Sequence, residues 1–252
     1  MLQTPLSEGY LGAFPSSAKI IKSGPIVWGM PVDMLAQERG KLFKKIFNGR
    51  GDFSKTRVIL HAATPKSSYS LRFQVYETPD EYVRSIYELA SAVEKIPNAV
   101  LIIKFRAQRE ISQSELEADD LRALIPFSKK VILIANESFT DLLGISDLLV
   151  SFSSTTIEES LQNRIPVLLY GGAGRYEHIL AEELNPDRPL RKSALYHVKE
   201  EKYLEYAIGR ILGLDIKRNK DGYLFDPYIY TQDDRVSLVE LLRADLKRER
   251  AN

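Results

Sequence analysis

From residue 57 onward the chain alternates short, uninterrupted apolar runs with segments of helical spacing, and this alternation restricts the fold more than any single motif. The first run is Val58-Ile59-Leu60-His61-Ala62-Ala63, stopped by Thr64-Pro65-Lys66-Ser67-Ser68. Val100-Leu101-Ile102-Ile103, Val131-Ile132-Leu133-Ile134, Leu148-Leu149-Val150 and Val167-Leu168-Leu169-Tyr170 follow. A strand with one wet face alternates apolar and polar residues, whereas a continuous run marks a strand covered on both faces, as in a parallel sheet. The segments between the runs supply the helices that parallel crossovers need. Residues 79–95 set Tyr82, Ile86, Leu89, Ala90 and Val93 on one stripe, with Thr78 placed to cap and Pro79 at the first helical position. A polar helix is expected near 115–124, a short one near 139–143, and another from about Ile157. Strand and helix repeated in this order predict a doubly wound, Rossmann-like α/β domain built on a parallel sheet.

The flanks differ from this middle. Residues 1–24 carry Gly, Pro and Ser without periodicity and read as a connector. A helix over 34–47 follows Asp33 and ends at Asn48-Gly49-Arg50-Gly51-Asp52. Leu238, Leu241, Leu242 and Leu246 share one face of a closing helix. The expected division is therefore a linker and lead-in helix over 1–54, the α/β domain over 55–230, and a C-terminal helix over 231–252.

Composition removes several function classes. With 252 residues, 44% of them hydrophobic and 27% charged, the chain can bury the core of one large domain with appendages. A formal net charge of +1 provides no global field to draw it to nucleic acid. The absence of cysteine excludes disulfides, thiolate zinc sites and cysteine nucleophiles together. No run reaches the roughly 18 apolar residues of a membrane span, and the N-terminus lacks the basic start and apolar core of a signal peptide. A cytoplasmic location is the expectation. No zinc motif, Walker loop or nucleophile elbow occurs, and neither a metal nor a cofactor is expected. The histidines do not nominate a catalytic base. His61 sits at a strand end, where a core or surface role outweighs one in the cleft, and His178 and His197 have no recognisable carboxylate partner.

The stretch richest in chemistry is Ser146-Asp147-Leu148-Leu149-Val150-Ser151-Phe152-Ser153-Ser154-Thr155-Thr156-Ile157-Glu158-Glu159-Ser160, closed by Arg164-Ile165-Pro166-Val167. A buried strand ends in small hydroxyl residues and a helix starts at once. Helix starts leave backbone N–H groups without internal partners, and the helix dipole is positive there, so a phosphate is well accommodated. The hydroxyls of Ser153, Ser154, Thr155 and Thr156 add donors, and Glu159, one turn on, is placed to accept from two vicinal ribose hydroxyls. The same residues also read as plain capping: Thr155-x-x-Glu158 and Thr156-x-x-Glu159 both match a capping box that needs no ligand. Spacing leaves both readings open.

This run resembles the donor-site segment of GT-B glycosyltransferases and of the related UDP-GlcNAc 2-epimerases. The shared pattern is an Asp before a strand, a Ser/Gly/Thr turn, a Glu on the helix, and Pro-Val seven residues later. Aligning Pro166 with the family proline makes Glu159 the ribose-binding glutamate and Ser153, Ser154 and Thr155 the diphosphate turn. Ser-Ser-Thr-Thr departs from the glycines common there and is closer to capsule and teichoic-acid-type transferases. Val58 to Pro65 is similar to the opening strand and loop of that C-terminal domain, with Thr64 in the loop. Ile102-Ile103-Lys104 is similar to a strand end that His-Pro usually follows. Phe105-Arg106-Ala107 stands there instead, so charge falls to Lys104 or Arg106 or to neither. Gly171, Gly172 and Arg175 occupy a loop that faces ligand in such enzymes, and the base packs near Ala135 and Asn136. Gly29-Met30-Pro31-Val32-Asp33 resembles the end of the interdomain linker.

The resemblance implies one half of a GT-B fold. Its function would be to bind a nucleotide-sugar donor in bacterial surface-polysaccharide biosynthesis. The glycan or lipid-linked acceptor, the catalytic base and any peripheral membrane association would belong to a missing N-terminal domain or a partner subunit, without which the chain would be inactive. A 2-epimerase-like domain, a non-catalytic nucleotide-binding or scaffold module, and an α/β domain whose hydroxyls only cap a helix stand as alternatives.

Overall fold

The computed structural model describes residues 32, 34–63, 78–105, 128–152, 154–171, 181–214 and 221–229, together with positions 2–3, 21–22, 123, 240, 243–244 and 246–247. The continuous apolar runs become strands of one parallel sheet: β3 (Arg57–Ala62), β4 (Ala99–Lys104), β5 (Val131–Ile134), β6 (Leu148–Ser151) and β7 (Val167–Leu169). β8 (Glu182–Glu183) and β9 (Leu195–His197) extend it, while β1 (Leu2–Gln3) and β2 (Ile21–Lys22) pair separately in parallel. The seven strands lie in the order β5-β4-β3-β6-β7-β9-β8, every neighbouring pair parallel. Strand order reverses between β3 and β6. In open α/β sheets the crevice at the carboxyl ends of strands flanking such a reversal is the usual ligand position.

The helices are α1 (Ala36–Ile46), α2 (Pro79–Lys95), α3 (Phe139–Ile145), α4 (Thr156–Gln162) and α5 (Leu204–Leu214). α2 spans the residues its stripe predicts. Thr78 Oγ1 accepts from the Glu81 amide at 3.3 Å, and Glu81 Oε2 accepts from the Thr78 amide at 2.8 Å. Ile86, Leu89 and Val93 are fully buried against the sheet, as are Ile59, Leu60, Leu101, Ile102, Leu149 and Val167. α1 packs on α3, and α2 on α5.

Some expectations are refined. Phe43 of α1 and Phe47, its C-cap, are buried in the same core as the sheet, so the lead-in helix packs into the core of the α/β domain. Their rings lie 4.5 Å apart, and Phe53 closes on Phe43 at 5.4 Å. The polar helix near 115–124 falls outside the described residues except for Ala123, which is helical. Of the closing helix, positions 240, 243–244 and 246–247 are helical, and Leu246 is exposed. Among the described residues no helix is long and apolar enough to cross a membrane.

Candidate functional site

The crevice is built from the carboxyl ends of β3 and β6 and the turn into α4. Asp147 lies at the other end of β6. Its Oδ2 accepts the Val58 amide at 2.9 Å and its Oδ1 stands 3.5 Å from Arg57 Nη1. The aspartate of the motif thus fixes the amino edge of β3 against β6. At the carboxyl edge, buried His61 Nδ1 lies 3.0 Å from the Val150 carbonyl, holding the two central strands together beneath the crevice.

The hydrogen bonds of the described residues in the turn bear on both readings of the Ser/Thr run. Thr155 is the N-cap, yet its side chain makes no capping hydrogen bond. Ser154 acts instead: its Oγ accepts from the Thr156 hydroxyl at 2.9 Å and lies 3.3 Å from the Thr156 amide. The amides of Ile157 and Glu158 bond to the carbonyls of Ser154 and Thr155 at 3.2 and 3.1 Å, and that of Glu159 reaches Thr155 at 3.3 Å. The expectation that several helix-start amides are open is therefore corrected, because the tight first turn engages them from Thr156 onward. At this turn the Ser154 and Thr155 amides make no hydrogen bond to a described residue.

Glu159 is half-buried, and burial alone, with no hydrogen bond or charge from a described residue, acts on its carboxylate. Burial raises its pKa above the ordinary carboxylate value. A carboxylate that is partly desolvated and unpaired is an acceptor held ready for donors the protein does not supply. Ser151, to which the sequence reading gives no role, is 1% exposed, and its hydroxyl has no partner among the described residues. Its place at the head of the hydroxyl run was the available signal.

Other sequence candidates are placed differently. Lys104 donates to the carbonyls of Phe105 and, at 2.8 Å, of Ala135. Its ammonium clips the ends of β4 and β5 together, and burial lowers its pKa, opposed by the charge of Glu137. Two backbone carbonyls thus already engage the ammonium that the sequence offers as a charge for phosphate. Asn136 is exposed just beyond β5, the edge strand, two strands from β3. Gly171 follows β7 with φ 133, a conformation that only glycine adopts readily. Before it, the Tyr170 hydroxyl donates to Glu88 of α2, and burial followed by that bond raises the tyrosine pKa. His197 Nδ1 lies 3.1 Å from the Ala181 carbonyl, a role within the sheet edge. Thr64, Arg106, Ser153, Gly172, Arg175 and His178 lie outside the described residues, as does the Gly29–Asp33 segment apart from Val32. No group of residues suited to a metal occurs among the described residues.

No protein-family model and no curated protein matches the sequence. Solved structures do resemble the fold. A glycosyltransferase from Rickettsia africae ESF-5 superposes with a TM-score of 0.53 at 16% identity, covering 91% of this chain and 56% of that one. The Anabaena protein HepE in complex with UDP-glucose gives 0.52 at 12% identity, over 92% of this chain and 58% of that one. Its complex with UDP and glucose gives 0.50 at 12% identity, over 92% and 57%. This chain thus spans somewhat more than half the length of the structures it resembles. With its parallel seven-stranded sheet, flanking helices and these structural counterparts, the chain has the Rossmann-like α/β fold of GT-B glycosyltransferase-like proteins.

Proposed function

We propose that this chain binds the nucleotide-sugar donor of a glycosyltransferase, in bacterial surface-polysaccharide biosynthesis. The observation that carries the reading is Glu159, a half-buried and unpaired carboxylate one turn beyond two open amides at the crevice where strand order reverses. The donor diphosphate would accept from the Ser154 and Thr155 amides and the turn hydroxyls, and Glu159 would accept from the ribose. Donors aimed at the departing nucleotide stabilise the negative charge it gains as the sugar leaves. The acceptor and the general base would come from a further domain or a partner subunit.

Support comes from the fold, shared with a glycosyltransferase and with the Anabaena protein HepE, which was solved in complex with UDP-glucose. The test is calorimetry with UDP, CDP, GDP and CMP. At least one should bind, and Glu159→Ala should weaken it. Failure of all four to bind would favour a purely structural α/β domain. Sugar transfer appearing only when a second domain or subunit is added would separate half of an enzyme from a non-catalytic scaffold.

A further inference from the structure

Both segments that flank the sheet are fastened at one point, the C-terminal end of α4. The Val32 amide donates to Asn163 Oδ1 at 2.9 Å. Asn163 Nδ2 donates in turn to the Glu159 carbonyl at 2.8 Å, and the Asn163 amide bonds the Glu159 and Ser160 carbonyls at 3.2 and 3.1 Å. Gly144 of α3 makes room for the lead-in segment: a Cβ there would stand 2.9 Å from Val32 Cγ1 and 3.3 Å from Met34 Sδ. The next residue, Arg164, holds a left-handed φ of 57. Its guanidinium donates to the Gly222 carbonyl at 2.6 Å and lies 3.6 Å from Asp226, tying down the 3-10 turn Asp221–Tyr228.

Helical geometry sets Thr156, Glu159 and Asn163, at i, i+3 and i+7, on one flank of α4. Ile157, Ser160 and Leu161 form its buried side. That flank carries a turn hydroxyl at its start, the unpartnered carboxylate in its middle and the anchor of the lead-in at its end, over about 10 Å.

We infer that Asn163 is a positioning residue that locks α4, and with it Glu159, to the lead-in segment, so that nucleotide held at Glu159 and docking of Val32 reinforce each other. The inference rests on the donor-site reading above. Coupling of this kind is reciprocal: whatever ligand does to the lead-in, displacement of the lead-in does to the ligand.

Residue-resolved amide exchange on the full chain tests it, with and without saturating UDP, or CDP, GDP or CMP where one binds tighter. Nucleotide should slow exchange of the Val32 amide about tenfold, within the usual range of such couplings. Asn163→Leu should erase that response and weaken nucleotide binding severalfold. Asn163→Asp, which keeps the acceptor for the Val32 amide but loses the donor to the Glu159 carbonyl, should restore only part of it. Gly144→Ala displaces the lead-in without touching α4, and should weaken binding by a similar factor even if Asn163→Leu fails to fold. Nucleotide binding with Val32 exchange unchanged would overturn the coupling and leave the donor site standing. No binding by any of the four would remove the donor site and the coupling together.

Discussion

Thr78-Pro79-Asp80-Glu81 and Thr155-Thr156-Ile157-Glu158 share the same Thr-x-x-Glu spacing at the start of a helix, and the protein treats them differently. At α2 the box is closed in both directions, threonine hydroxyl to amide and glutamate to amide. At α4 the Thr155 side chain makes no cap, and Ser154 braces the turn through Thr156. One helix start is complete by itself. The other retains two open amides with an unpaired acid a turn away, although the tight first turn satisfies the donors from Thr156 onward. A capping motif states which groups are available to meet, and whether they do depends on the turn before it. β6 delivers the chain to α4 through a tight hydroxyl turn at the sheet's carboxyl edge.

The comparison breaks most visibly at Glu159. If that acid is kept for ribose hydroxyls, Glu159→Ala should cost nucleotide affinity about 10- to 100-fold, the worth of hydrogen bonds to a charged group. Unchanged affinity in calorimetry would put α4 on a par with α2. Lys104 offers the converse case of a polar group already engaged. Lys104→Met should lower unfolding free energy by about 1–3 kcal/mol, since it strands the Phe105 and Ala135 carbonyls, while nucleotide affinity stays within about twofold. A large affinity loss there would restore its role as a phosphate ligand. The two threonines sharpen the contrast directly. Thr78→Ala should destabilise by about 1 kcal/mol in denaturant titrations, and Thr155→Ala by less than about 0.5 kcal/mol. Equal losses would mean that both helices are capped alike.

The smallest effect concerns protons. Burial raises the Glu159 pKa in the fold above its ordinary 4.5. The ionised acid is then better solvated in the unfolded chain, so it weakens the fold above the raised pKa and not below the ordinary one. Glu159→Gln should therefore stabilise the ligand-free protein near pH 7, with the gain vanishing as pH falls below about 4.5. A gain that persisted in acid would point to packing as its cause.

Much of this was legible in the residues. Runs such as Leu148-Leu149-Val150 announced buried parallel strands because no polar residue interrupted them, and Thr78-Pro79 announced the start of α2 at its observed position. α5 was not foreseen, since Leu204, Ala207, Ile208 and Ile211 follow a charged, unpunctuated stretch that offers no start signal. β9 was not foreseen either, although Leu195-Tyr196-His197 lies in a short apolar stretch. The place of Glu159 on its helix was legible, but its lack of partners was not. Nor was the engagement of Lys104, which depends on a carbonyl 31 positions away on a neighbouring strand. Sequence shows which groups exist at an edge, and tertiary contacts determine which of them stay open.

The most direct measurement of the central claim is a residue-resolved NMR titration of the chain with UDP, CDP, GDP and CMP. A binding nucleotide should shift the Ser154 and Thr155 amides most strongly, with the Glu159 side chain responding in parallel. A nucleotide that binds while leaving those two amides unmoved would contradict the claim.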